Sequence, residues 1–189
     1  MDGTLDSRER ALAAMARAVQ ELGYPETTVR DVLERAGMSR RTFYELFHNR
    51  EECFLATYDE AVAGAFRRID DACEPDGDWP EHVDEPLREL LDYLDAHPDL
   101  ARLLVVETVR AGPSGLERHE RTMRQLAERI VRARPAPPAR DEDLRLRAEA
   151  SVGAVHRILH ARIVDGRADD LTSLAPELTR VVRELAVAS

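Results

Sequence analysis

Lysine is absent from this chain of 189 residues: all 27 cationic side chains are arginine, and no mechanism follows from that alone. Cysteine is scarce. Cys53 and Cys73 make no disulfide framework, and on one helix their separation of 20 positions would set them roughly 30 Å apart, too far to pair. Long apolar runs are missing. The longest charge-free stretch, residues 150–156, has seven residues, against the roughly 20 that a membrane helix needs. The opening Met1-Asp2-Gly3-Thr4-Leu5-Asp6 lacks the basic and apolar regions of a signal peptide, so the expected compartment is the cytoplasm. No Gly-rich phosphate loop occurs. Gly112-Pro113-Ser114-Gly115 lacks the Gly-x-Ser-x-Gly spacing of a nucleophile elbow, and no Cys/His pair suggests a nucleophile, so no enzyme is expected. His156 and His160 share one helical face, but no Glu or Cys completes a ligand set, so neither a metal nor a cofactor is expected.

What is present suffices for a core. Apolar residues make up 43% and charged residues 34% of the chain, enough for one ordinary domain or a small module joined to a larger one. The net charge of −10 argues against indiscriminate coating of nucleic acid or anionic membrane. That charge is unevenly spread. Residues 1–50 hold eight Arg and eight acids, whereas residues 51–189 hold 19 Arg and 29 acids. The first quarter is chemically distinct.

Apolar spacing reads as helix almost throughout. Leu12, Met15, Val19 and Leu22 mark the first helix, capped by Asp6 with Glu9 and ended by Gly23. Thr28 with Asp31 caps a second, stopped by Gly37. Ser39 caps a third through Phe47, and Asn49 caps a long fourth fading near Asp71. Residues 74–85, with Pro75, Gly77 and Pro80, read as a loop merging into a fifth helix marked by Val83, Leu87, Leu90, Leu91 and Leu94. His97-Pro98 stops it. A buried sixth helix follows over residues 100–106. A turn over residues 111–115 precedes a seventh, from Leu116 to Val131. The eighth runs from Leu144 to Ile163, and the ninth carries Leu171, Leu174, Leu178, Val181, Val182 and Leu185.

Residues 29–48 have the pattern of a helix-turn-helix. Apolar residues fall at Val32, Ala36, Met38, Phe43 and Leu46, where two steeply crossing helices bury side chains. Gly37 takes the turn position that needs a positive φ. Ser39 caps the third helix, whose outward face carries Arg40, Arg41, Tyr44 and His48. Arginine reads guanine bidentately in the major groove, and Tyr and Thr hydroxyls are common phosphate donors. Arg50, beside the fourth cap, suits a second phosphate clamp.

The whole of residues 8–55 resembles the N-terminal domain of the TetR family of transcriptional regulators. The likeness lies in Glu21-Leu22-Gly23-Tyr24, Thr27-Thr28-Val29-Arg30-Asp31-Val32, Ala36-Gly37-Met38-Ser39-Arg40-Arg41-Thr42-Phe43-Tyr44 and Phe47-His48-Asn49-Arg50-Glu51-Glu52. The resemblance implies that Thr28 touches a phosphate and that Arg40, Arg41 and Thr42 face bases. It further implies that Tyr44 is the phosphate-binding tyrosine, and that Arg50 stands where the family usually has Lys. Two positions depart from the pattern. Leu33 replaces a small residue. Glu45 lies where a basic or neutral residue is usual, and it either accepts from cytosine or, the favoured reading, pairs with Arg41 four residues back.

Taken together, the expected fold is all-α: a helix-turn-helix DNA-binding domain over residues 1–50 and a six-helix effector and dimerisation domain over 51–189. The resemblance implies a homodimer that holds a palindromic double-stranded operator, acts as a repressor, and is released by a small-molecule effector. Val152, Val155 and Leu159, with Leu174, Leu178 and Val181, are then the dimer seam. Closure of the monomer core is the other reading of those stripes. Tyr58, Phe66, Trp79, Tyr93, Arg110, His119 and Met123 are the candidate pocket residues. A helical small-molecule-binding or interaction protein, with DNA binding secondary, stays open beside this reading.

Overall fold

The computed structural model describes residues 6–73, 81–133, 142–168 and 170–187, and among these no strand occurs. The helices are α1 (Ser7–Leu22), α2 (Val29–Ala36), α3 (Arg40–Leu46), α4 (Arg50–Asp71), α5 (Glu81–Ala96), α6 (Pro98–Arg102), α7 (Pro113–Arg132), α8 (Glu142–Val164) and α9 (Ala175–Val187). A π-turn (Leu103–Glu107) and a 3-10 turn (Thr108–Arg110) continue α6, and a 3-10 turn (Thr172–Leu174) precedes α9.

Side-chain caps set the first four helices. Asp6 and Glu9 form a capping box on α1, and Thr28 and Asp31 form another on α2. Ser39 Oγ accepts from Thr42 N–H at 3.0 Å to start α3, and Asn49 accepts from Glu52 N–H at 2.8 Å to start α4. Gly37 is left-handed, with φ 60° and ψ 42°, which turns the chain sharply from α2 into α3.

The effector half differs from the sequence reading at three junctions. α5 begins at Glu81, inside the stretch read as loop, and carries Pro86 near its start. α7 begins at Pro113 rather than Leu116, because a proline suits the first helical position, where its missing N–H has no intrahelical partner. The sixth helix is short and passes into the π-turn. Cys53 is buried in α4, Cys73 lies exposed just past its end, and both are free thiols.

Two cores result. One joins α1–α3 to the first half of α4 through Met15, Val19, Val32, Phe43, Phe47 and Phe54, and reaches Leu103 and Ala111. The other joins α5, the π-turn, α8 and α9 through Leu91, Leu94, Val105, Leu159, Leu171 and Val182. Most of the residues expected either at a seam between copies or in closing the monomer core lie inside the single chain. Val152, Val155, Leu159 and Leu178 are buried within the single chain, and Leu174 and Val181 are half-buried. The apolar stripe of α8 faces inward, where Val152, Val155 and Leu159 wall the cavity described below.

Candidate nucleic-acid interface and effector cavity

α3 is held from below by Phe43 and Phe47, whose rings pack 5.5 Å apart in the first core. That anchoring turns Arg40, Arg41, Tyr44 and His48 to the surface. Tyr44 is 48% exposed, a large aromatic standing edge-on to Phe43 at 5.5 Å. Arg41 Nε donates to Glu45 at 2.9 Å, so the departure at Glu45 forms a helical i,i+4 ion pair. Thr42 Oγ1 lies 2.9 Å from Ser39 Oγ. His48 Nδ1 lies 2.7 Å from Glu52, and the His48 backbone and ring hold that carboxyl below the usual range.

Thr28 and Arg50 are both engaged in local structure. The Thr28 hydroxyl donates to Asp31 within the cap of α2. Arg50 Nη1 donates to the carbonyls of Tyr24 at 3.1 Å, Pro25 at 3.3 Å and Thr27, while the guanidinium lies 4.3 Å over the Tyr24 ring. Arg50 therefore ties the start of α4 to the α1–α2 turn.

A cavity of about 160 Å³ lies among α4, α5, the π-turn, α7, α8 and α9. Its walls are mostly aliphatic. Tyr58, Phe66 and Met123 line it; Tyr93, Arg110 and His119 do not, and Trp79 falls outside the described residues. Tyr93 instead donates to the Ala61 carbonyl at 3.2 Å and faces a separate groove against α1. Arg110 lies 3.5 Å from the Glu107 carboxylate. His119 packs edge-on against His156, with ring centroids 4.7 Å apart. Thr122, Arg129 and His156 are wall residues that the sequence reading did not place there. Tyr58 donates to Thr122 Oγ1 at 2.8 Å, and burial pushes the phenol up to about 12. The Arg129 guanidinium sits 3.9 Å over Phe66 and pairs with Asp70 at 2.8 Å.

Burial pushes the His156 imidazole down to about 4, and His119 and His160 add to the effect. Above pH 6.5 both the folded and the unfolded chain hold a neutral ring. Between 6.5 and about 4 the unfolded chain binds a proton that the native ring refuses, so stability falls as the pH drops through that window. The shift corresponds to about 3 kcal/mol at most, and partial water access reduces it to about 1–2 kcal/mol. His156→Phe keeps a ring and removes the titration. Urea midpoints at pH 7.5 and 4.5 should differ less in this variant than in the native protein; an unchanged difference assigns the acid sensitivity elsewhere.

Residues 11–57 match the bacterial regulatory proteins of the tetR family, and residues 73–129 match the tetracyclin repressor-like C-terminal domain. The chain belongs to the TetR family. Among curated TetR-like relatives is YhgD of Bacillus subtilis (strain 168), an uncharacterised HTH-type transcriptional regulator, 27% identical over 94 residues, or 50% of this chain and 49% of that protein. The match to this relative thus spans about half its length. Among solved structures, the fatty acid degradation regulator FadR from Bacillus halodurans is 17% identical, with 96% of each chain covered and a TM-score of 0.82. FadR from Bacillus subtilis in complex with stearoyl-CoA is 14% identical, with 92% of this chain and 96% of that chain covered and a TM-score of 0.78. At these identities the TetR neighbours show the fold. Among the described residues, no helix is long and apolar enough to cross a membrane.

Proposed function

We propose that this TetR-family chain is a homodimeric, sequence-specific DNA-binding regulator, and that it represses from a palindromic operator until an effector fills the cavity. The observation that carries the reading is the exposed face of α3, where Arg40, Arg41, Tyr44 and His48 stand on a rigid aromatic base. Thr28, Ser39 and Thr42, at the starts of α2 and α3, and Arg50, at the start of α4, flank that face as further DNA contacts. Two copies of the helix must meet half-sites about one DNA turn apart. The outward face of α8, with Leu146 64% and Val164 53% exposed, is the surface proposed to join them.

The effector proposed is a molecule with a long apolar chain, such as a fatty acyl thioester. The aliphatic walls around Phe66 and Leu104 favour it, and the similarly folded FadR from Bacillus subtilis is described with stearoyl-CoA. The body's acidic charge disfavours loose contact with phosphates away from α3, and the arginine–phosphate contacts around α3 make DNA binding salt-dependent.

Selection from a random duplex pool tests the DNA reading. The native protein should enrich a palindrome. Arg41→Ala with Tyr44→Ala should bind that palindrome roughly 10²–10³-fold more weakly, the loss of one base reader and one phosphate donor. A folded native protein that enriches nothing at low salt overturns the regulator reading. A rise in melting temperature with stearoyl-CoA, absent with free coenzyme A, tests the effector class.

A further inference from the structure

Glu107 is a carboxylate with 0% exposure at the end of the π-turn. A charge so placed must be closely partnered. Its Oε2 accepts from the backbone N–H of Tyr24 at 3.0 Å. Its Oε1 lies 3.0 Å from Arg102 Nη2 and 3.5 Å from Arg110 Nη1. Gly23, with φ 77°, ends α1 beside it; a Cβ there would sit 3.5 Å from Oε2, an ordinary contact.

Tyr24 belongs to the turn between α1 and α2. The Glu107 bond therefore ties the DNA-binding module to the effector half across 83 residues. Arg50 grips the same turn through its carbonyls and the Tyr24 ring. On the other side, Leu104 and Val105, three and two residues before Glu107, line the cavity. One turn of chain thus touches both sites. A π-turn is a helix with one residue too many, and such turns cluster at functional positions. Regaining the α pitch would rotate the following residues by about 100°. The Thr108 hydroxyl, donating to the Leu103 carbonyl at 2.6 Å, clasps the turn in its present form.

We propose that Glu107 is the positioning residue that couples the cavity to the DNA-binding module. An occupant that displaces Leu104 and Val105 moves the π-turn, draws the carboxylate off Tyr24 N–H, and frees the α1–α2 turn to reorient α3. The inference rests on the function proposed above and adds the element that transmits it.

The test uses the full chain and Glu107→Gln, with the selected palindrome as DNA and stearoyl-CoA as probe. In the native protein the probe should weaken DNA binding by roughly 5- to 150-fold, the usual range of allosteric coupling. In Glu107→Gln that ratio should fall below about 2-fold, while stearoyl-CoA affinity stays within about 3-fold of native; a purely structural role would not separate the two. A folded variant that keeps the native ratio overturns the proposal. A native protein that binds both partners without coupling overturns it too, and leaves the functional reading intact. A native protein that binds neither overturns the functional reading instead. Leu104→Trp needs neither partner. Its indole fills the cavity from within and should speed hydrogen exchange of the Tyr24 amide at least tenfold. Unchanged exchange in the folded variant overturns the coupling.

Discussion

Gly115→Ala is expected to destabilise the protein by about 3–5 kcal/mol, lowering the melting temperature by about 10 °C. A Cβ at this position would lie 2.2 Å from the Thr108 carbonyl oxygen and 2.9 Å from the Ala111 Cβ. The first obstacle is backbone, in the 3-10 turn that links the π-turn to α7, so it cannot swing aside as a long side chain would. The substitution must shift the start of α7 against the turn that carries Glu107. Gly112→Ala is the control. Gly112 has φ 80° and ψ −163° but nothing within 4 Å of a Cβ, so the change should cost about 1–3 kcal/mol, all of it backbone strain. Urea unfolding of the two variants decides it. A Gly115→Ala midpoint at or above that of Gly112→Ala would mean that the close approach is relieved without cost.

The contrast between these glycines shows where sequence reading stops. The caps at Asp6, Thr28, Ser39 and Asn49 act within three residues, and all four are legible in the order of side chains. The left-handed Gly37 belongs with them, and the outward set on α3 follows once those boundaries stand. At Gly112-Pro113-Ser114-Gly115 local order is ambiguous, because a glycine that ends one element and a glycine crowded by another look alike. What separates them is the position of Thr108 in space. The stripe of Val152, Val155, Leu159 and Leu178 has the same limit. A period of 3.6 says that one face is buried but not by what, and here the cavity and the core of the single chain cover it. Glu107 carries no local mark at all. It follows the apolar run Leu103–Val106 and finds its partner in the backbone of Tyr24, far along the chain.

Gly153→Arg is expected to leave the chain folded and to abolish tight operator binding. Gly153 sits on the outward face of α8, near Ala150 and between exposed Leu146 and Val164, and a Cβ added there meets nothing within 4 Å in the single chain. A glycine in mid-helix costs about 0.5–1 kcal/mol relative to alanine, with no return inside the monomer. A second copy whose backbone approaches this face gives that glycine a reason. Gly153→Ala should therefore stabilise the isolated chain slightly while weakening the dimer, opposite signs that a purely surface position would not show. Gly153→Arg places a long charged side chain where the proposed interface closes. Sedimentation at micromolar concentration should find monomer, with a thermal midpoint within a few degrees of native. Each recognition helix then meets its half-site alone, without the high effective concentration that a tethered partner supplies. Operator affinity should fall at least 10²-fold. A Gly153→Arg protein that stays dimeric and holds the palindrome at native affinity would place the interface on another face of the helical body.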